Sequence, residues 1–187
     1  EDGIDCDGSC APCKERVRDF TILWSRFFKT RDEGAYDIAA LIENRNQFFA
    51  ATKLLYAIKL YDKENILIAV KENRSFANAG ERFLIFEPNF AVRNRIPAKA
   101  IIEIREVSWM PNEAKPLPID ILRKDLLLSE TPARMEAIIK NKTAEIFKNV
   151  EATAVIYNAS GEAVGASRTM LDRVDIYQEA KLTFTWP

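Results

Sequence analysis

A chain of 187 residues, 48% hydrophobic and 29% charged, has the make-up of a folded protein rather than a disordered one, with room for two small domains. Its formal net charge of −1 argues against a partner surface that neutralises nucleic-acid phosphates, and no apolar run reaches the roughly 18 residues that cross a bilayer as a helix. With no histidine and six glycines, the usual base of Ser or Cys triads and the glycine-rich phosphate cradles are missing, so no catalytic residue is expected.

All three cysteines fall within Asp5-Cys-Asp-Gly-Ser-Cys-Ala-Pro-Cys13, and three readings of Cys6, Cys10 and Cys13 compete. Their spacing is the one by which radical S-adenosylmethionine enzymes hold a [4Fe–4S] cluster. Such enzymes need a large partial barrel of alternating strands and helices after the motif, whereas this chain continues with repeated strands. A zinc site needs a fourth ligand, which without histidine falls to a carboxylate or another chain. The reading preferred here is a disulfide staple in an oxidising compartment, with two cysteines paired and the third free or joined to a cysteine upstream. Asp2, Asp5 and Asp7 form a candidate calcium cluster, although Gly and Asp are equally what a tight disulfide loop requires. No other cofactor is expected. The chain starts at Glu1 without methionine, which leaves room for a leader, anchor or further domain upstream.

From Phe20 the pattern is β. Residues 20–28 are aromatic and branched, Arg31-Asp-Glu-Gly34 supplies a turn, and Tyr36, Ile38, Ala40 and Ile42 alternate along the next strand until Asn44. Strands are predicted over 53–62 and 66–70, then over 82–87, where Pro88 stops the run. In the strand over 99–109, Ile102 and Ile104 differ in parity from Val107 and Trp109, which predicts a bulge near Arg105-Glu106. Three prolines in Met110-Pro-Asn-Glu-Ala-Lys-Pro-Leu-Pro118 mark a stiff linker. Further strands are predicted over 119–128, 133–140, 151–157, 163–169 and 181–186, the last with Leu182, Phe184 and Trp186 facing inward. Thr131 to Phe147 also carries helix signals, and strand, turn, strand is preferred there because the matching place in the first half breaks at Asn44.

The two halves are related. The stretch from Tyr56 to Ala69 returns as Ala152 to Gly165, with Tyr61 matching Tyr157 at an offset of 96, and Asn44 matches Asn141 at 97. Taking Trp109 and Trp186 as the closing residues of the two copies leaves the first with about one extra hairpin, placed within 76–96. The expected fold is all-β: two tandem immunoglobulin-like antiparallel β-sandwich domains behind a small Cys-rich loop segment. The expected boundaries are a Cys-rich segment at 1–19, sandwiches at 20–110 and 119–187, and a linker at 111–118.

Two resemblances add to this. The first thirteen residues resemble a short cysteine-rich segment of bacterial surface and secreted proteins, which implies an extracytoplasmic spacer. Asp7 stands where that pattern has glycine. Leu60-Tyr-Asp62, with its alternating lead-in, resembles the signature of FxLYD domains, a bacterial cell-envelope module similar to the water-stress (WHy, late-embryogenesis-abundant-type) β-sandwich. The second copy has Ile156-Tyr-Asn158 in its place, and the usual Pro-Gly turn is replaced in both copies. The resemblance implies a non-catalytic structural or interaction module at the cell surface, facing the periplasm or secreted. It would contact other envelope proteins or copies of itself, and would be membrane-anchored through a segment outside this chain.

Among Trp24, Phe27, Phe28, Phe48 and Phe49, most are expected in the core, and Phe48 and Phe49 are the candidates for an exposed contact because they fall in a predicted connection. A carbohydrate-binding or adhesion module is the alternative, and an exposed aromatic row would favour it. The sequons at Asn73, Asn141 and Asn158 would matter only in a eukaryotic secreted protein.

Overall fold

The computed structural model describes residues 17–92, 95–128 and 132–186, and every regular element among them is a strand. The first six are β1 (Thr21–Lys29), β2 (Ala35–Glu43), β3 (Phe49–Tyr61), β4 (Leu67–Ala77), β5 (Arg82–Ala91) and β6 (Lys99–Pro111). Then come β7 (Ile119–Leu127), β8 (Ala133–Asn141), β9 (Phe147–Tyr157), β10 (Ala163–Val174) and β11 (Glu179–Trp186). A sheet ordered β1-β2-β5 faces one ordered β4-β3-β6, and a sheet ordered β7-β8-β11 faces the β9-β10 hairpin. All neighbours run antiparallel, so the fold is two tandem β-sandwiches.

Period-two alternation builds both cores. Ile38, Ala40 and Ile42 on β2 meet Leu54, Tyr56, Ile58 and Leu60 on β3, and Ile102 of β6 closes the same core. Arg105 is the extra residue that the parity switch in β6 demands, because Leu55 pairs with Glu106 while Tyr56 pairs with Ile104. In the second sandwich Leu182, Phe184 and Trp186 point inward as their spacing predicts. Trp186 lies so close to β10 that a Cβ on Gly165 would sit 2.9 Å from the indole, so only glycine fits there.

The duplication is visible atom by atom. Asn44 and Asn141 are 1% and 0% exposed. Each side-chain amide donates to two carbonyls, those of Phe49 and Asn78 in the first copy and of Glu145 and Asp175 in the second. Each side-chain oxygen accepts the backbone N–H two residues on, from Asn46 or Thr143. The β3–β4 and β9–β10 turns also match. Asp62 accepts N–H groups from Glu64 and Ile66, and Asn158 accepts them from Ser160 and Glu162. Asn65 and Gly161 take the left-handed position in each turn, as Gly80 and Tyr177 do in the next turn of each copy.

Three expectations need correction. Among the described residues the first copy has no extra hairpin within 76–96. It has an extra strand, β6, because Trp186 ends the counterpart of β5 rather than that of β6. Pro88 does not end β5: the strand lies at a sheet edge and bulges there, with Asp37 accepting the N–H of Asn89, so the missing donor is tolerated. Phe49 is not in a connection, since it opens β3 opposite Pro111. The proline stretch after β6 is also tied down, through the N–H groups of Asn112 and Ala114 to the carbonyls of Phe48 and Gln47.

Candidate functional site

The face of β1-β2-β5 turned away from its own core would ordinarily be the wet side of a sandwich. Here it carries Ala39, Leu41, Leu84, Phe86, Trp24 and Phe28, and it packs against Val155 and Ala166 of the β9-β10 hairpin. Ala39 and Ala166 are small enough to let the two sheets approach. The rim is polar and directional. Arg26 donates to the Ala163 carbonyl at 3.4 Å and lies 3.5 Å from Glu162, Trp24 meets Tyr157 edge-on at 6.5 Å, and Arg168 sits over the Phe86 ring. The Glu162 carboxyl is held below its ordinary range by the Asn158 amide and the Arg26 guanidinium. The four sheets thus stack in one pile, and the two inner ones are covered on both faces.

Sequence reading missed this seam, although it left a signal. Ile38-Ala-Ala-Leu-Ile42 and Phe83-Leu-Ile-Phe86 are unbroken apolar runs, the mark of strands buried on both faces, whereas the first was read only for its alternation and the second only as a strand. Trp24 and Phe28 belong to the seam, Phe27 packs into the first core, and Phe48 is 40% exposed. The exposed aromatics Phe48, Phe76, Tyr157 and Tyr177 sit on four separate stretches of chain.

A second feature is a carboxylate inside the first sandwich. Glu87 of β5 is 3% exposed and accepts from the Tyr56 hydroxyl at 2.6 Å and the Asn73 amide at 2.7 Å, with the Lys71 ammonium 2.6 Å away. Burial pushes its pKa up, but Lys71, Tyr56 and Asn73 together outweigh burial and hold the carboxyl below its ordinary value. The Tyr56 hydroxyl is pushed far up by burial and by the adjacent carboxylate, so it stays a donor. Every polar group here has a partner, which makes the cluster a closure of the gap between β4 and β5. A shallow open groove beside it, lined by Leu55, Tyr56, Glu72, Asn73, Arg74, Arg105 and Glu106, has its charges partly paired, with Arg105 2.6 Å from Glu72.

The third feature is an edge. β3 is flanked by β4 and β6, but among the described residues its counterpart β9 pairs with β10 alone. Cys6, Cys10 and Cys13, together with Asp2, Asp5 and Asp7, lie outside the described residues. Among the described residues no helix is long and apolar enough to cross a membrane.

No family model matches the chain, and no curated protein does either. Among solved structures it is similar to red sea bream transglutaminase, at 12% identity and a TM-score of 0.29. The match covers 91% of this chain and 27% of that one, and a likeness this slight carries no argument about activity.

Proposed function

We propose that this chain is a non-catalytic structural and interaction module of the cell envelope, in which two sandwiches locked into one stiff body act through protein–protein contacts. The observation that carries the reading is the seam. An apolar sheet face with small residues at its centre and a directional polar rim fixes one sandwich on the other, which suits a spacer that must hold contacts at a set distance. The placement outside the cytoplasm rests on the resemblance to FxLYD and WHy-type domains and on the clustered cysteines.

Three measurements test this. Cross-linking of intact source cells, read by mass spectrometry, should join the chain to envelope proteins or to its own copies, and fractionation should place it outside the cytoplasm. Recovery from the cytosolic fraction without protein cross-links would sink the reading. Ala166→Arg should weaken the seam by roughly 2 kcal/mol, because a long charged side chain must enter a dry site. Small-angle scattering should then report a larger, more variable particle while both sandwiches stay folded, and an unchanged profile would count against a functional seam.

A further inference from the structure

Among the described residues the two copies share five strands, and a sixth, β6, stands only in the first. β6 takes up the outward backbone groups of β3 from the Phe49–Pro111 pair to the Tyr61–Lys99 pair, lays Ala100 and Ile102 over the core, and reaches β1 of the facing sheet. The aligned strand β9 has no such neighbour among the described residues. Leu54, Ile58 and Leu60 of β3 are 0% exposed and Tyr56 5%, whereas their counterparts Val150, Ala154, Ile156 and Ala152 are only half-buried. Across the sandwich, Ile121 and Leu126 of β7, the counterpart of β1, pair in register with the core-facing Ile139 and Met135 yet stand exposed.

Two edges, β7 and β9, therefore flank an open side of the second core, and they differ. β7 carries devices that keep an edge from pairing: a bulge between Ile121 and Arg123, and Lys124 in register with the core-facing Ala137. From Val150 onward β9 has neither. It is free of proline, its inward residues Val150, Ala152, Ala154 and Ile156 are all apolar, and the charges of its Lys148 and Glu151 cancel. The strand that fits beside it is defined by β6: antiparallel, with small or branched apolar side chains on the inward face, as Ala100, Ile102, Ile104 and Val107 are placed against β3. β9 is itself such a strand.

We propose that β9 of a second copy of this chain takes the place that β6 holds in the first sandwich, so that two chains join about a two-fold axis into one sheet ordered β10-β9-β9-β10. Centring the axis on Thr153 sets Val150 opposite Ile156 and Ala152 opposite Ala154, twice each, on the inner face, and threonine opposite threonine on the outer one. It also places each Glu151 opposite Val155 of the other copy, whereas an axis through Glu151 would set two carboxylates face to face. The second β9 then covers Ile121 and Leu126 as β6 covers the β1 side. The β9-β10 hairpin is already one wall of the seam, so the joint prolongs a packed layer, and a net charge of −1 leaves little repulsion between copies. The inference rests on the contact-making role proposed above and names a partner for it.

Sedimentation of the 187-residue chain, with reductant present so that no disulfide joins copies, should show monomer passing to dimer between about 1 and about 100 μM and nothing larger, because a two-fold joint closes. Over the same range, hydrogen exchange read by mass spectrometry should slow about tenfold at β9 and stay unmoved at β7. Thr153→Glu sets two carboxylates on the axis and should weaken the dimer roughly tenfold, while Thr153→Val should keep it. Thr153 is exposed, so neither change should alter unfolding of the monomer. A monomer at every concentration, a dimer indifferent to Thr153→Glu, or protection gained at β7 instead would each overturn the proposal. A monomer whose β9 amides are protected by a synthetic peptide of the β6 sequence 98–111 would give the edge to another protein's strand and overturn the second copy. A chain that is monomeric in vitro but cross-links to envelope proteins in cells defeats this inference alone, and a dimer confined to the cytosol defeats the envelope reading alone.

Discussion

Replacing Asn44 by Ala should cost the first sandwich about 3–4 kcal/mol, and Asn141→Ala should cost the second a similar amount, from the usual 1–3 kcal/mol for each buried polar group left without a partner. The reasoning is the same at both sites. Each asparagine ties the end of one strand to the start of the next and to a turn 34 residues on, through two donated bonds and two accepted. Alanine leaves two carbonyls and one N–H without partners where little water can enter, and takes one acceptor from the Asn46 amide or the Thr143 hydroxyl. Asn→Asp should be no gentler, since a carboxylate would face two carbonyl oxygens. Urea unfolding followed by tryptophan fluorescence checks this, with Trp109 stacked on Phe20, which packs against the first core, and Trp186 against Phe184 in the second. A loss under about 1 kcal/mol at either site would mean that the paired asparagines are not the locks the geometry makes them.

The duplicated asparagines were legible in the sequence, because a short polar residue recurring at fixed distance between apolar strands marks a repeated turn. The turn after Tyr61 and Tyr157 was legible for the same reason. β4 was read only as far as Val70, since Lys71-Glu-Asn-Arg-Ser75 has no apolar alternation. The strand runs on to Ala77 because Lys71 and Asn73 point inward to a buried carboxylate, an interaction set by residues far along the chain. That the second copy has no counterpart of β6 among the described residues was hidden by its ending. Trp109 and Trp186 both close an alternating strand, and period two reports which face is buried without reporting which neighbour is paired. The seam had a signal in its unbroken apolar runs, but such runs do not say what lies on the second face.

Glu87→Gln should lower stability by about 2 kcal/mol near neutral pH, and this deficit should close as the solution is acidified. Glutamine keeps an acceptor for Tyr56 and Asn73 but loses the charge that Lys71 faces, and because the Lys71 side chain is 44% exposed that pair is worth less than a fully buried one. The pH dependence follows from the direction of the shift. A carboxyl held below its ordinary 4.5 in the folded state contributes stability that is complete above 4.5 and is lost as pH falls through the folded value. Asp62, Glu43, Glu103 and Glu136 are also depressed, while burial raises Asp37. These groups are common to both proteins, so they cancel in the difference between wild type and variant. Urea midpoints from about pH 7 to about pH 3 should therefore converge for the two chains. Lys71→Met supplies the opposite control: without the cation, burial is less opposed, the folded-state value of Glu87 moves back up, and the acid loss that this carboxyl contributes shrinks. A constant gap between wild type and Glu87→Gln across the whole range would show that the carboxylate's charge contributes nothing to holding β4 against β5.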